Sequence, residues 1–384
     1  MSKGTGLKEY KQQIADKKTV LQRVRELPDQ TFEQAIAKTH HPAQDSSPMM
    51  ISLACDNYKF ITNRDGSIGF DRSPAIKPSK EFFRKPLAVV KPKFGIEKNV
   101  ETKRCLAEGW LPIPVVKAFS GSISYVQQTY VAPFDSSGDG RPWPFICDKP
   151  ICVTEYTIEN TGGSESDALL ALKFEDNTQI PDSFEITKIQ PGFAVHQKGR
   201  MLALVDVNES GQLRADIDNS SLALSWKLPP NGKANCYVSI PSWDVNIADA
   251  VTVAVKDGLR KQVRAHWEKA LAESMDIEVP DEPIGNVIRA SQVHCMLAVR
   301  NEDDGKRIAA WIASDVYGPL ESEAHSVIRG MEFLGNENFA RKSLDYFIKR
   351  YNSNGFLTTG YTLMGTGWHL WTLGEYFALT QDSQ

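Results

Sequence analysis

The sequence lacks the features that define several large classes of protein. No run of about 18 apolar residues occurs, which excludes a membrane-spanning helix, and the lysine-rich N-terminus has no apolar core of the kind that a secretory signal needs. A formal net charge of −4 provides no basic field, so we expect neither nucleic acid nor a membrane as a partner. The compartment is otherwise unknown, and the cytoplasm is the default expectation.

Cysteine and the common cofactor motifs are also scarce. Six cysteines in 384 residues are too few for a disulfide framework, and the spacing of Cys147 and Cys152 matches no common zinc signature. No glycine-rich nucleotide-binding motif follows a predicted strand, and no H-E-x-x-H or G-x-S-x-G motif occurs. We therefore expect no cofactor and no metal.

Composition and periodicity divide the chain into four regions. Residues 1–48 are polar, with a helical spacing of apolar residues followed by a linker. Residues 49–245 contain short runs in which apolar and polar residues alternate, and turn signals separate these runs. This pattern predicts a large antiparallel β-sandwich. The clearest strands are predicted over 49–55, 122–131, 152–160, 168–174, 201–207, 221–228 and 233–240.

The remaining residues have helical periodicity. Apolar residues recur every four positions from Ile247 to Leu271, which predicts one long linker helix within 246–280. Residues 281–384 carry four apolar stripes of helical spacing. These stripes predict helices over 284–299, 320–334, 340–351 and 368–379, with Trp371 and Phe377 of the last helix facing inwards.

The connections between these four helices differ greatly in length. About 20 residues, 300–319, follow the first helix, and about 14, 352–365, follow the third, whereas the second and third are joined by a short glycine turn. Because alternate connections of antiparallel helical hairpins emerge at the same end, both long connections should lie together. Connections of this length are usually functional.

This arrangement resembles glycosidases with an (α/α)6 toroid, the glucoamylase-like six-hairpin superfamily. Residues 157–174 are similar to a hairpin of its N-terminal β-sandwich, and residues 314–347 and 367–382 are similar to its early toroid hairpins. The resemblance implies a multidomain β + α fold: a large antiparallel sandwich, a linker helix, and αα hairpins that form part of a toroid. It implies a glycoside hydrolase that acts on oligo- or polysaccharide by paired-carboxylate chemistry. A phosphorylase or polysaccharide lyase on the same scaffold, or a non-catalytic carbohydrate-binding or assembly module, remains open.

The number of helices departs from this family. A toroid of six hairpins needs twelve helices, whereas residues 281–384 supply four. The resemblance places the catalytic acid and base in later hairpins, so we expect a fragment that lacks them and is inactive when isolated. The apolar edge of the last helix should then be covered by another chain or cause self-association.

Aromatic and acidic residues near the long connections are the candidates for sugar contact. Sugar C–H faces pack on aromatic rings, while carboxylates accept hydrogen bonds from hydroxyl groups. Asp315 and Glu321 are also secondary candidates for acid–base chemistry, although a glutamate in the first turn of a helix is favoured by the helix dipole alone. His325 is expected to be a satisfied interior histidine. The predicted substrate-binding residues are Trp311, Asp315, Tyr317, Glu321, Tyr361 and Trp368.

Overall fold

The computed structural model describes residues 15, 18–31, 34, 48–70, 88–97, 100–134, 149–178, 181–207, 212–255, 258–312, 318–357 and 364–382. The chain divides into two compact units, Met1–Ser47 and Pro48–Gln384. In the first unit, helix α1 spans Val20–Glu26. It begins at a capping box, in which the Thr19 hydroxyl accepts from the Gln22 amide at 3.2 Å and the Gln22 side chain accepts from the Thr19 amide at 2.8 Å.

The second unit contains two large antiparallel sheets. Their strands are β1 Met49–Ile51, β2 Phe60–Thr62, β3 Ile68–Phe70, β4 Ala88–Phe94, β5 Thr102–Leu106, β6 Pro114–Ser120, β7 Ile123–Pro133, β8 Pro150–Asn160, β9 Ser166–Asp176, β10 Glu185–Lys188, β11 Gly192–Gln197, β12 Arg200–Val207, β13 Gln212–Asp218, β14 Ser221–Leu228 and β15 Lys233–Pro241. The seven-stranded sheet has the order β1-β2-β3-β4-β9-β14-β13, and the eight-stranded sheet has the order β10-β11-β12-β15-β8-β7-β6-β5.

Alternating apolar residues hold the two sheets together. In β14, Leu222, Leu224 and Trp226 are fully buried, and Leu222 and Leu224 lie opposite Leu172 and Leu170 of β9. These side chains share one apolar core with inward-facing residues of the eight-stranded sheet. Each strand contributes alternate side chains to that core, which is why a period of two predicted the layered β-structure.

The helical part follows the sheets. Its elements are the 3₁₀ segment Ile247–Val253, α2 Leu259–Ala270, α3 Glu282–Ala298, the short hairpin β16 Arg300–Glu302 and β17 Arg307–Ala309, α4 Glu321–Phe333, α5 Glu337–Ile348 and α6 Gly365–Thr380. A separate 3₁₀ turn, Ala107–Gly109, lies between β5 and β6. The last four helices match the four predicted from residue 281 onwards, and β16–β17 was not predicted.

The prediction of one continuous linker helix is wrong. The 3₁₀ segment ends at Ala254, whose backbone is extended, and Gly258 has a φ of +88° immediately before α2. In the sequence a spacing of four residues runs through this break, but Val251 on that stripe is 54% exposed, whereas Leu259 and Val263 after the break are buried. The predicted periodicity therefore reports burial correctly only after the break, and it does not report the continuity of the helix.

A second apolar core joins the helices to the outer face of the eight-stranded sheet. Tyr130, Val153 and Leu204 point away from the sandwich interior and pack in one cluster with Trp267 of α2 and Met296 of α3. The helical part therefore rests directly on the sheet, which fixes where the ends of α3 to α6 lie relative to the sandwich.

Candidate functional site

The two long connections meet at one end of the helices, as their lengths predicted. Just beyond α5, Arg350 forms an ion pair of 2.9 Å with Glu302, which lies just beyond α3. The backbone amide of Leu357 donates to the Thr366 hydroxyl at 2.9 Å, so the second connection returns to the first turn of α6. We call this the loop end of the helices.

Helices α4 and α6 run parallel, with their N-termini at the loop end. His325 and His369 stack with ring centroids 5.3 Å apart, and further along both helices Arg329 forms an ion pair of 2.9 Å with Glu375. These contacts occur in the same order along the two helices. Side chains of α4 and α6 can therefore act on one ligand from adjacent helices.

The predicted site residues that the structure describes lie at or near the loop end. Trp311 is 9% exposed, and the Arg300 guanidinium lies 5.2 Å from its ring centroid. Glu321 is 1% exposed at the first position of α4, and Trp368 is half-buried in the first turn of α6. The other three, Asp315, Tyr317 and Tyr361, lie outside the described residues. A role of any of the six in sugar contact stays a prediction.

The expectation that Trp371 and Phe377 face inwards is wrong. Trp371 is 42% exposed and Phe377 is 48% exposed. Helix α6 instead buries the stripe that contains His369, Thr372 and Tyr376. The buried stripe is thus the more polar one, so the usual pattern of an amphipathic helix is inverted.

An exposed aromatic surface with charged groups results from this inversion. The rings of Trp368 and Trp371 are T-shaped at 5.4 Å, and the Arg329 guanidinium stacks on Trp371 at 3.9 Å from the ring centroid. Glu375 holds the same guanidinium, and both charged side chains are partly exposed. We call these four residues the tryptophan face. It places two indole rings, a planar donor and a carboxylate acceptor side by side.

Beneath this surface lies a buried histidine pair. The His325 ring, which stacks on His369, also packs against Phe347 with centroids 4.6 Å apart and the rings tilted by 38°. Nδ1 of His369 hydrogen-bonds with the Tyr351 hydroxyl at 2.8 Å. Among the described residues, neither ring nitrogen of His325 has a hydrogen-bond partner, so the expectation of a satisfied histidine is wrong.

Both histidines are neutral at neutral pH because of this burial. Burial lowers the pKa of His325 to about 3, and the adjacent His369 ring adds to the effect. Burial also lowers the pKa of His369 to about 4, against a smaller opposing effect of the Leu344 backbone carbonyl.

One buried carboxyl group has the opposite shift. Glu332 is 7% exposed on α4, and neither of its carboxyl oxygens has a hydrogen-bond partner among the described residues. Burial raises its pKa to about 7, which Arg329 opposes and Glu375 reinforces. The group thus holds a proton near neutral pH, and both of its carboxyl oxygens are buried.

Two further findings concern the described part of the chain. Within it, no three histidine, cysteine, aspartate or glutamate side chains are grouped closely enough to hold a metal ion. None of its helices combines the length and the apolar character needed to cross a bilayer.

Solved structures of carbohydrate-active proteins align with most of the chain at low similarity. A human-microbiome protein, provisionally named a kojibiose phosphorylase, matches with a TM-score of 0.41 and 10% identity over 90% of this chain and 56% of that chain. The family GH92 α-mannosidase from Bacteroides thetaiotaomicron matches with a TM-score of 0.28 and 10% identity, over 80% of this chain and 48% of that chain. Its complex with mannoimidazole gives a TM-score of 0.29 at 10% identity, over 82% and 48%. The chain spans about half the length of these structures. No protein-family model and no curated protein matches it.

Proposed function

We propose that this chain is the saccharide-binding, N-terminal part of a glycoside hydrolase that acts on oligo- or polysaccharides. The observation that supports this most is the tryptophan face. A sugar ring has apolar C–H faces and a rim of hydroxyl groups, so it needs aromatic surfaces and planar polar partners at the same place. Trp368 and Trp371 supply the surfaces, while Arg329 and Glu375 supply donors and an acceptor.

The loop end extends this proposed site. Trp311 lies on the connection that leads into α4, and Glu321 is the first residue of α4. The sequence adds Asp315, Tyr317 and Tyr361 as further proposed contacts. In this proposal, α3–α4 and α5–α6 are two hairpins of an (α/α)6 toroid, and the saccharide lies along the exposed side of α4 and α6.

Hydrolysis itself needs two accessible carboxyl groups, about 5 to 5.5 Å apart for retention or about 6.5 to 9.5 Å apart for inversion. Glu332 carries the raised pKa of a proton donor but is buried, and Glu375 is engaged by Arg329. We therefore propose that the catalytic pair lies outside the described residues. In this proposal the pair belongs to later hairpins of the toroid, so the chain should bind saccharide without cleaving it.

Replacing Trp371 by alanine tests the proposal. We expect Trp371→Ala to weaken oligosaccharide binding at least tenfold, about 1.4 kcal/mol, because the stacking surface is lost while the buried side of α6 stays intact. Isothermal titration against a panel of neutral di- to hexasaccharides measures the effect. The matched control is Phe119→Ala, which removes a 61% exposed aromatic ring from β6 of the sandwich and should leave binding unchanged. Equal affinities of Trp371→Ala and the unmodified chain would remove the tryptophan face from the proposal.

A second candidate function, a non-catalytic assembly module, is favoured by the outer stripe of α6. That stripe is exposed and carries no charged residue. A surface of this kind is typical of a protein interface. Its members are Met364, Gly367, Leu370, Trp371, Gly374, Phe377 and Ala378.

A further inference from the structure

A loop of the sandwich holds the C-terminal end of α3. The Lys59 side-chain nitrogen is buried and donates to the backbone carbonyls of Leu297 at 2.6 Å and Val299 at 3.0 Å. The Cys55 amide donates to the Met296 carbonyl at 2.9 Å. These carbonyls belong to the last turn of α3, where backbone oxygens have no partner within the helix. The sandwich therefore supplies the cap of α3.

The same loop also holds the first residues of the connection between α3 and α4. The Asn57 side chain accepts from the Asn301 amide at 3.0 Å and donates to the Asn301 carbonyl at 3.2 Å. In turn, the Asn301 side chain donates to the Cys55 carbonyl at 3.2 Å. Asn57 thus pairs with Asn301 as a neighbouring β-strand would, and the backbone beside Arg300 is held on both sides.

Arg300 transmits this constraint to Trp311. Its guanidinium is 1% exposed and lies 5.2 Å from the centroid of the Trp311 ring, within the range of a cation–π contact. Burial lowers the pKa of Arg300 to about 9, and the charge of Asp56 opposes this shift, so the guanidinium stays charged at neutral pH. The guanidinium lies over the indole ring at this distance, so we expect it to restrict how the ring can turn.

We propose that Arg300 is a positioning residue for Trp311, and that the sandwich loop 52–59 takes part in forming the saccharide site by holding the backbone around Arg300. This inference rests on the proposed function, in which Trp311 contacts the sugar. It gives the sandwich a role in saccharide binding, although loop 52–59 is far in sequence from the residues of the loop end.

The test uses the full chain labelled with 5-fluorotryptophan. The chain has eight tryptophans, and Trp311→Phe identifies the ¹⁹F resonance of Trp311 by its loss. Arg300→Lys keeps the charge but loses the planar guanidinium over the ring. We expect it to shift or broaden the Trp311 resonance and to weaken binding of the tightest neutral oligosaccharide of the panel about fivefold. Asn57→Ala, which removes the two hydrogen bonds to the Asn301 backbone, should produce the same change in the Trp311 resonance.

A matched control exists in the same chain. The Arg289 guanidinium lies 5.9 Å from the Trp110 ring centroid, so Arg289→Lys should move the Trp110 resonance and leave saccharide affinity unchanged. An unmoved Trp311 resonance in Arg300→Lys, or in Asn57→Ala if Arg300→Lys does not fold, overturns the inference. The inference is also overturned if Arg300→Lys moves the Trp311 resonance but leaves the affinity unchanged, while Trp311→Phe binds the oligosaccharide more weakly.

The proposed function and the positioning role of Arg300 fail in different ways. If no oligosaccharide of the panel binds the unmodified chain, the proposed function fails, whatever the ¹⁹F spectra show. If binding is found and the Arg300 and Asn57 variants do not change the Trp311 resonance, only the positioning role is lost.

Discussion

Acidification from pH 7 to pH 4 is expected to destabilise the helical part of the protein strongly. His325 and His369 have pKa values of about 3 and about 4 in the folded chain, against 6.5 for an ordinary histidine. The folded state therefore binds fewer protons than the unfolded state, and stability is lost as the pH falls below 6.5. Each ring contributes on the order of 3 kcal/mol by pH 4, a large part of the roughly 5 to 15 kcal/mol of a folded domain. Urea unfolding followed by circular dichroism at 222 nm measures this slope.

His325→Phe is the variant that isolates the effect. A phenyl ring fits the stack on Phe347 and His369 and cannot take up a proton, so the loss of stability between pH 6.5 and pH 4 should be about half that of the unmodified chain. Glu332 provides a control of opposite sign. Its pKa is raised from 4.5 to about 7, so it destabilises the folded state as the pH rises from 4.5 through 7, and Glu332→Gln should be more stable at pH 8 but not at pH 4. Equal acid slopes in His325→Phe and the unmodified chain would contradict the assignment.

The isolated chain is expected to self-associate through the outer stripe of α6. Leu370 is 59% exposed and Phe377 is 48% exposed on this uncharged stripe, and burying one such side chain contributes about 1.5 to 3 kcal/mol. Light scattering should give a mean mass that rises with protein concentration. The double variant Leu370→Glu/Phe377→Glu should return the mass to that of one chain, because two pairs of carboxylates would then have to be buried at the interface.

The control for self-association lies on the sandwich. Phe119→Glu places a carboxylate at another highly exposed aromatic position, so it should leave the concentration dependence unchanged. A monodisperse single chain at all concentrations would show that the stripe on α6 does not associate. It would also remove the observation that favours the assembly module as the second candidate function.

The sequence predicted the layered β-structure and the four last helices because both depend on local periodicity. In β14, every second residue is buried, and in α4 the buried residues Ala324, Ile328 and Met331 follow one helical stripe. The break at Gly258 could not be predicted in this way, since apolar residues of the sequence keep a spacing of four through it, although Val251 on that stripe is exposed. The toroid remains a proposal.

The orientation of α6 could not be predicted because its more polar side is buried and its apolar side is exposed. Its buried stripe contains His369 and Thr372, whereas Leu370 and Phe377 are exposed, so ranking residues by hydrophobicity selects the wrong side. A usable signal was present in the charges. Glu375 is the only charged residue of α6, and Arg329 lies one turn after His325 on α4. An expected ion pair between these two residues would have placed Glu375 on the exposed side of α6, together with Trp371, which lies one turn before it.

The most direct measurement is a ¹⁹F titration of the 5-fluorotryptophan-labelled chain with the tightest neutral oligosaccharide of the panel. Saccharide on the tryptophan face should shift the resonances of Trp368 and Trp371 in a saturable way, while those of Trp226 and Trp267, which are fully buried, should stay in place. Saturable shifts confined to Trp110 and Trp243 of the sandwich, or no shift with any oligosaccharide of the panel, would contradict the account.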